Sequence, residues 1–270
     1  METPSRPSRL VVLGSDVSTS LSPTFQRAAL AAAGIPLSYE AVSVSAEDLP
    51  AAIEEIRRTG VAGNVTRPHK ASFHDACDVL TPTARRVGAV NTFWVTDGRL
   101  YGDNTDVEGF DLSARELLNH QTKDIVALVL GAGGAAAAVL AAVERWPSAR
   151  AIIVSRSSAK ASRLAERYAG SATVESDAVA AAERAGLIVN ATPIGQHDDS
   201  MPLDPSVIGR GTAVLDLVYR RGETAWIRAL RANGNAARDG MTMLLEQGAL
   251  SFRRWFGIEP DRAVMRASLE

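Results

Sequence analysis

Short apolar runs alternate with stretches of helical periodicity along most of the chain. The apolar runs predict strands at residues 9–14, 37–44, 61–65, 91–95, 99–101, 125–130, 151–154, 187–190 and 213–217. The stretches between them predict helices at residues 23–33, 47–59, 105–118, 133–146, 224–233 and 241–256. This alternation is typical of a mostly parallel sheet covered by helices.

Residues that favour caps and turns mark several boundaries of these elements. Ser22 is expected as the N-cap of the first helix, with Pro23 at its first helical position. Gly60 and Gly234 are expected to close helices. The pair Asp97-Gly98 between two short strands predicts a hairpin, which would place an antiparallel element on the edge of the first sheet.

The pattern restarts near the middle of the chain. Residues 119–123 predict a connector, and a continuous apolar strand follows it. A length of 270 residues is comfortable for two domains. We therefore expect an N-terminal α/β unit with a mostly parallel sheet and a second, Rossmann-like unit.

Composition limits the kinds of binding partner and the cellular location that can be expected. A net charge of -2 and an aromatic fraction of 5% give no reason to expect nucleic acid or an anionic membrane. No run of about 18 apolar residues occurs, so no membrane span is expected, and residues 1–8 lack the apolar core of a signal peptide. Cys77 is the single cysteine, which excludes an intrachain disulfide and favours a cytoplasmic location. The scattered histidines His74, His120 and His197 lack metal-ligand spacing, and no metal is predicted.

Two polar segments follow predicted strands and carry the candidate chemistry. They are Asn64-Val65-Thr66-Arg67-Pro68-His69-Lys70 and Gly102-Asp103-Asn104-Thr105-Asp106. Together they offer one amine, one carboxylate and neutral polar groups, which suit the binding of a hydroxylated molecule and the movement of a proton. Lys70 and Asp106 could also form an ordinary surface ion pair.

A glycine-rich loop after the strand at 125–130 predicts a dinucleotide site. Glycine at the first position permits a tight turn, and small residues let the backbone approach a pyrophosphate at the start of the next helix. An empty tight turn is the alternative interpretation. The residues predicted to contact the cofactor here are Gly131, Ala132, Gly133, Gly134 and Ala135.

The end of the next strand favours NADP over NAD. An NAD site usually has an acidic residue there, for the ribose hydroxyls. This chain has none at that point and offers Ser155, Arg156, Ser157 and Lys160 instead, which suit a 2′-phosphate. A solvated basic turn is the alternative. A proton-transferring pair together with an NADP site indicates hydride transfer to or from a carbonyl or alcohol carbon.

With these motifs in place, the chain resembles the shikimate dehydrogenases. The similarity covers about residues 9 to 257 and depends on an ordered set of motifs rather than on one. They are Ser20-Leu21-Ser22-Pro23, the 64–70 and 102–106 segments, Gly88-Ala89-Val90-Asn91-Thr92, the glycine loop, Asn190-Ala191-Thr192, Asp216-Leu217-Val218-Tyr219 and Gly240-Met241-Thr242-Met243-Leu244 with Gln247.

The resemblance implies an activity and a role for each matching residue. Family members reduce 3-dehydroshikimate to shikimate with NADPH, a step of chorismate and aromatic amino acid biosynthesis. Lys70 would be the acid/base and Asp106 its partner. The substrate would be held by Ser20, Ser22, Thr66, Asn91, Tyr219 and Gln247. Further cofactor contacts would come from Thr192, Leu217, Gly240 and Met243.

The resemblance also implies how the domains are arranged. Residues 1–106 and 240–270 would form a discontinuous substrate-binding and catalytic domain, and residues 107–239 an NADP-binding Rossmann domain, with a cleft between them. The protein would be a monomer or a homodimer that binds small molecules.

Departures from the family pattern leave alternatives open. Asp16 and Thr19 stand before the paired serines where the family usually has other residues, Val107 follows the aspartate, and Ala137 replaces a common arginine. A quinate or aminoshikimate dehydrogenase paralogue is therefore one alternative, and a non-catalytic NADP-binding protein is another. A methylene-tetrahydrofolate dehydrogenase has a similar plan, but the paired serines and Gln247 favour a cyclic acid.

Overall fold

A computed structural model of the protein describes residues 7–220 and 222–270. Most of the segment 1–8, for which the sequence predicts a frayed end, lies outside them. The chain divides into two compact units. Unit 1 comprises the described residues up to Asp106 together with Leu244–Glu270, and unit 2 comprises Val107–Met243.

Strands and helices alternate as the apolar pattern predicts. In the described residues the strands are β1 (Leu10–Gly14), β2 (Tyr39–Ser43), β3 (Ala62–Val65), β4 (Val79–Leu80), β5 (Thr92–Thr96), β6 (Arg99–Asp103), β7 (Val126–Leu130), β8 (Arg150–Val154), β9 (Ala172–Val174), β10 (Leu187–Asn190), β11 (Ala213–Asp216) and β12 (Ala237–Arg238). The α-helices are α1 (Ser22–Ala32), α2 (Leu49–Thr59), α3 (Lys70–Ala76), α4 (Pro82–Val87), α5 (Asp106–Leu117), α6 (Gly134–Val143), α7 (Ser158–Arg167), α8 (Ala178–Ala182), α9 (Ala225–Ala232), α10 (Met241–Phe256) and α11 (Arg262–Ala267). Among these residues no helix is both long and apolar enough to cross a bilayer.

The sheet of unit 1 brings several strand ends to one edge. Its order among the described residues is β2-β1-β3-β5-β6-β4. β5 pairs antiparallel with both β3 and β6, while the other pairs are parallel. The carboxyl ends of β1, β3 and β6 therefore lie at the same edge as the amino end of β5. The hairpin at Asp97-Gly98 is confirmed, but its placement at the sheet edge is wrong, because β4 pairs outside β6.

Unit 2 contains a parallel sheet with the strand order of a dinucleotide-binding fold. Its order is β9-β8-β7-β10-β11-β12, which corresponds to 3-2-1-4-5-6 when the strands are counted within the unit. All the pairs are parallel. The chain switches sides of the sheet between β7 and β10, and the loops at the carboxyl ends of these two strands are where such sheets bind ligands.

The expected N-cap of the first helix is wrong by one residue. Leu21 is the N-cap and Ser22 is already helical. The backbone N–H of Ser22 donates to Ser20 Oγ at 3.3 Å, so the hydroxyl of Ser20 satisfies one free amide at this helix start. The Ser22 hydroxyl is therefore not needed as a cap. Gly60 is confirmed as the end of α2, with φ 68° and its N–H bonded to Ile56 O.

Several short elements escaped the sequence prediction. They include α3, α4, α8 and α11 and the strands β4, β9 and β12, none longer than seven residues. Segments this short hold too few apolar positions to show a period. The ten-residue helix α7 was also missed, because its few apolar residues lie among charged ones.

We expect Gly63→Ala to lower the free energy of unfolding of the protein by about 2–4 kcal/mol. A Cβ atom at this position of β3 would lie 2.1 Å from the carbonyl oxygen of Val11 on β1. The two backbones would have to separate, and ladder hydrogen bonds would weaken. Urea unfolding followed by fluorescence measures the loss. Gly211→Ala is the matched control because nothing lies within 4 Å of its added Cβ, and an equal effect of both changes would contradict the close-approach argument.

Candidate functional site

Lys70 and Asp106 form an ion pair at the polar edge of the first sheet. The distance between Lys70 Nζ and Asp106 Oδ2 is 2.6 Å, and the two side chains are 20% and 9% exposed. Each residue is the first of a helix, α3 and α5 respectively. The positive end of α5 favours the carboxylate of Asp106. The amine is thus held by a charged acceptor yet keeps access to solvent or a ligand.

The backbone that leads to Lys70 is fixed to the strands on both sides. The N–H of Thr66 donates to Leu13 O at 2.7 Å, and the N–H of His69 donates to Thr66 O at 3.0 Å. The His69 side chain is 2% exposed, and its Nε2 lies 2.7 Å from Val44 O. His69 therefore serves as a buried connection between the loop and the end of β2, and Lys70 remains the group available for proton transfer.

Asn91 and Gln247 join the ion pair through the amide of Asn91. Asn91 Nδ2 donates to Asp106 Oδ1 at 2.8 Å and approaches Gln247 Oε1 at 3.3 Å. Asn91 Oδ1 accepts from the N–H of Thr105 at 2.8 Å. The antiparallel β5 brings Asn91, just before its first residue, to the edge where β3 and β6 end. Four predicted site residues therefore meet in unit 1.

The remaining predicted substrate residues lie at two other places. Ser20 and Ser22 follow β1 and begin α1, and Thr66 follows β3, so all three lie at the same edge of the unit 1 sheet. Ser22 is buried and Ser20 is half-buried. Tyr219 belongs to unit 2, lies three residues past the end of β11 and is half-buried.

A buried carboxylate anchors the loop that carries Asp106. Asp103 accepts from the Thr81 hydroxyl at 2.5 Å, from the N–H of Asn104 at 2.8 Å and from Arg254 Nη2 at 2.5 Å. The Arg254 guanidinium lies 6.0 Å from the ring centroid of Trp94. The sequence analysis missed Thr81 and Arg254, because they lie far from the loop along the chain and belong to no motif.

Gly102 lets the end of β6 pass close to the core. An added Cβ would lie 2.5 Å from a methyl of Val90 and 2.7 Å from Cys77 Sγ. Burial raises the pKa of the Cys77 thiol to about 12. The thiol is thus a packing group rather than a nucleophile, as the lack of a surrounding motif indicated.

The glycine loop of unit 2 fits a phosphate group. Gly131 has φ 115°, and a Cβ there would lie 2.9 Å from Ala191 O, so glycine is needed for the turn. Gly133 caps α6 without any side chain, and nothing lies within 4 Å of its added Cβ. The start of α6 thus has no side-chain cap and has open space beside Gly133, which suits a pyrophosphate. Gly134 is exposed, and Ala132 and Ala135 are half-buried beside it.

The predicted NADP-selecting residues lie together between β8 and α7. Ser157 is the N-cap of α7 and accepts from the N–H of Lys160, and Ser155 Oγ accepts from the N–H of Ser157. Arg156 and Lys160 are exposed. The two serines order this turn, and the two cations project from it into solvent.

Polar side chains also line the ends of β10 and β11. Asn190 Oδ1 accepts from the Thr192 hydroxyl at 2.6 Å, and Asn190 Nδ2 donates to Asp216 Oδ1 at 2.8 Å. Burial raises the pKa of Asp216, opposed by hydrogen bonds from Val218 N–H, Asn190 and Thr224. Asp216 thus fixes the loop that follows β11 and holds Thr192 through Asn190.

Gly240 is required by a close backbone contact in the same unit. An added Cβ would lie 2.5 Å from the carbonyl oxygen of Leu217. Leu217 is half-buried and Met243 is buried, in the first turn of α10. These three predicted cofactor residues therefore all belong to unit 2.

The fold and these sites define a class: a two-unit α/β protein with one Rossmann-type unit and one unit that carries a lysine–aspartate pair. Residues 12–93 match the model of the shikimate dehydrogenase substrate binding domain, and residues 240–270 match the shikimate 5'-dehydrogenase C-terminal domain. A shikimate dehydrogenase (NADP(+)) of Rubrobacter xylanophilus is 42% identical over 96% of this chain and 94% of its own length. The Thermus thermophilus relative of the same name is 40% identical over 95% of both chains.

Solved structures give the same result. A Thermus thermophilus shikimate 5-dehydrogenase in complex with NADP(H) and shikimate aligns with a TM-score of 0.88 at 38% identity, over 97% of this chain and 98% of that one. A quinate dehydrogenase from Corynebacterium glutamicum in complex with NAD aligns with a TM-score of 0.88 at 27% identity, over 97% and 98% of the two chains. The chain belongs to the shikimate dehydrogenase family, which confirms the resemblance found in its motifs.

We expect the Cys77 thiol of the folded protein to resist alkylation at pH 8. Its raised pKa, about 12, leaves almost no thiolate at that pH. The protein is incubated with iodoacetamide and its intact mass is measured. We expect slow modification of the native protein and fast modification in about 6 M urea, which unfolds most proteins. Equal rates in the two conditions would contradict the assignment of Cys77 as a partly buried group that packs against the core.

Proposed function

We propose that this protein is an NADP-dependent shikimate dehydrogenase that reversibly reduces 3-dehydroshikimate to shikimate. The family supplies the reaction class, since relatives about 40% identical over nearly the whole chain carry that name. The observation that carries the proposal for this chain is the Lys70–Asp106 ion pair, 2.6 Å long and only partly exposed, at the edge where the site residues of unit 1 meet.

Lys70 acts as the acid in reduction and as the base in oxidation. Bound NADPH supplies the hydride. Negative charge develops on the ketone oxygen as its carbon is reduced, and the Lys70 ammonium donates one proton to that oxygen, so an alcohol results. Asp106 orients the amine through the 2.6 Å contact between the two side chains. In the reverse direction the neutral amine of Lys70 accepts the alcohol proton, and oxidation therefore becomes faster as pH rises.

The substrate is held by neutral polar groups. Ser20 and Ser22, with Tyr219, bind the carboxylate through hydroxyl donors, and the position of the half-buried Ser20 and the buried Ser22 at the polar edge of the sheet supports this. Thr66, Asn91 and Gln247 bind the ring hydroxyls. The contact of Asn91 with both Asp106 and Gln247 supports a common role for the three.

The cofactor is held by unit 2. The pyrophosphate of NADP would be held by Gly131, Ala132, Gly133, Gly134 and Ala135, and the open space beside Gly133 supports this. Ser155, Arg156, Ser157 and Lys160 bind the 2′-phosphate. Thr192, Leu217, Gly240 and Met243 complete the cofactor site.

The domain roles follow from these assignments. Residues 1–106 and 240–270 form the substrate-binding and catalytic domain, and residues 107–239 form the NADP-binding domain. The division into units supports this and differs only in grouping residues 240–243 with unit 2. We also propose a cytoplasmic location and a monomeric or homodimeric state; the single thiol favours the former.

Quinate is the second candidate substrate. A quinate dehydrogenase has the same fold at 27% identity. Asp16 is also exposed in the loop before the paired serines, where it accepts from Ser18 Oγ at 2.7 Å. A carboxylate at that place would favour a substrate with an amino group, such as aminoshikimate. A non-catalytic NADP-binding protein is disfavoured, because the Lys70–Asp106 pair is intact.

A panel of acids and cofactors tests the proposal. Absorbance at the nicotinamide band follows oxidation of shikimate, quinate and aminoshikimate with NADP and with NAD. We expect the highest kcat/KM for shikimate with NADP. A higher value for quinate would assign the protein to the second candidate, and no turnover of any acid would support the non-catalytic alternative.

We expect Lys70→Ala to lower kcat by about 100-fold or more with little change in KM, the usual scale for loss of a general acid–base group. Lys123→Ala is the matched control, since that side chain is 75% exposed. Steady-state kinetics in both directions measure the effect. Near-normal kcat with a raised KM in the Lys70 variant would make this residue a binding group only.

We expect Arg156→Ala to lower kcat/KM for NADPH by about tenfold, because one charge-assisted hydrogen bond to the 2′-phosphate is lost. The value for NADH should not change, since NADH lacks that phosphate. Arg163→Ala, an exposed arginine on α7, is the control. An equal loss with both cofactors would place Arg156 outside the 2′-phosphate site.

A further inference from the structure

Ser251 lies at the centre of a buried polar network beneath the ion pair. It is on α10, one helical turn after Gln247, and its side chain is fully buried. Its hydroxyl oxygen lies 2.9 Å from Asn64 Nδ2, 2.7 Å from Thr92 Oγ1, 3.1 Å from Thr105 Oγ1 and 2.9 Å from Gln247 O. One helix residue thus contacts the ends of β3 and β5 and the residue before Asp106.

The role of Ser251 follows from comparing the donors and acceptors of this network. Asn91 Oδ1 is approached by three donors: Thr105 N–H at 2.8 Å, the Thr92 hydroxyl at 3.0 Å and the Thr105 hydroxyl at 3.2 Å. A carbonyl oxygen has two lone pairs. Ser251 donates its own hydrogen to Gln247 O, so its oxygen can accept one of the threonine hydrogens.

The same oxygen therefore relieves the competition at Asn91. When one of the threonine hydroxyls donates to Ser251, Thr105 Oγ1 is free to accept a hydrogen bond from Asn91 Nδ2, which lies 3.0 Å away. One N–H of the Asn91 amide then donates to Thr105 Oγ1, and Gln247 Oε1 is a more distant alternative acceptor at 3.3 Å. The other N–H of the amide points to Asp106 Oδ1 at 2.8 Å, and Asp106 Oδ2 holds Lys70.

Packing alone does not explain why a serine occupies this position. A buried hydroxyl costs free energy unless it is hydrogen-bonded, and a bond from a serine to the carbonyl four residues back does not favour a helix. Asn64 Nδ2 would keep acceptors without Ser251, since Asn91 O lies 3.0 Å away and Thr92 Oγ1 3.1 Å away. Without Ser251, the two threonine hydroxyls would keep only the shared Asn91 Oδ1 and each other, at 3.2 Å, in place of the 2.7 Å contact between Thr92 and Ser251.

We propose that Ser251 is a positioning residue for the proton-transfer pair: by accepting a hydrogen bond from the Thr92–Thr105 hydroxyl pair, it keeps the Asn91 amide directed at Asp106 and so sets how strongly Asp106 holds the Lys70 amine. Ser251 touches neither Lys70 nor Asp106. This inference rests on the proposed function, because it assigns Lys70 as the acid/base.

The pH profile of shikimate oxidation is the main test. In Ser251→Ala, the hydrogen bond from the Asn91 amide to Asp106 weakens. Less of the carboxylate charge is then neutralised by Asn91, so Asp106 binds the protonated amine of Lys70 more strongly. We expect the midpoint of the log kcat profile to move upward by about half a pH unit, a threefold change in the proton equilibrium. We expect the plateau kcat to fall by about threefold to tenfold, because the pair is less well oriented. A loss of packing alone would lower the melting temperature without moving the midpoint.

A second background tests the route through the threonines. In a chain that carries Thr92→Val and Thr105→Val, the hydroxyls are absent, and adding Ser251→Ala should cause no further shift of the midpoint. The same shift in both backgrounds would overturn the proposal, and so would an unchanged midpoint in folded Ser251→Ala.

The controls keep the test decisive. Ser113→Ala is the matched control, since Ser113 is a fully buried helical serine whose hydroxyl has no hydrogen-bond partner within the described residues, and its midpoint should equal that of the wild type. If Ser251→Ala does not fold, Ser251→Cys keeps the volume with a weaker acceptor and should move the midpoint in the same direction.

A readout without catalysis separates this inference from the proposed function. NMR titration of the Lys70 amine in protein labelled at the lysine ε-carbon should show the same upward shift in Ser251→Ala. A wild-type protein that turns over no acid in the panel would contradict the proposed function, while the NMR titration would still decide the role of Ser251. An identical Lys70 titration in both proteins would overturn the inference alone.

Discussion

The hydrogen bond between the Lys70 ammonium and the Asp106 carboxylate is the interaction around which unit 1 is organised at its polar edge. It requires the first residues of α3 and α5 to lie close together, with Lys70 Nζ 2.6 Å from Asp106 Oδ2. The sheet provides this, because β3 and β6 end at the same edge with β5 between them. A partly buried ion pair is weak support for stability, since desolvation offsets much of the attraction. Its retention here agrees with a chemical role.

The ion pair in turn requires that every buried polar group around it be satisfied. Asn64, Asn91, Thr92, Thr105 and Ser251 bond to one another in a region that is almost closed to solvent. Tyr39 continues the network through a 2.7 Å bond from its hydroxyl to Asn64 Oδ1. An unpaired group in such a network is costly, and a fully paired network has few alternative arrangements. The network therefore orients the pair as well as supporting it.

Glycines allow close backbone contacts between the loops of unit 2. Gly131 and Gly240 lie where a Cβ would strike the carbonyls of Ala191 and Leu217, and Gly133 opens the first turn of α6. These glycines bring loops from β7, β10 and β11 to one end of the parallel sheet, where the chain switches sides between β7 and β10. A phosphate-binding surface made of N–H groups needs this close approach, and the surrounding side chains then select among nucleotides.

The α/β class, the long elements, the family and the motifs that meet at the sheet edge could all be predicted from the sequence, because apolar periodicity and motif spacing are local properties of the chain. The prediction from sequence was wrong at two places. Ser22 is not the N-cap of α1, because the Ser20 hydroxyl already accepts from an amide there. The hairpin does not lie at the sheet edge, because β4 pairs outside it. Only the tertiary structure decided that Arg254 binds Asp103 and that Ser251 contacts Thr92 and Thr105. These partners are separated by more than 140 positions in the chain, and no pattern within a segment records which distant donor a buried acceptor will meet.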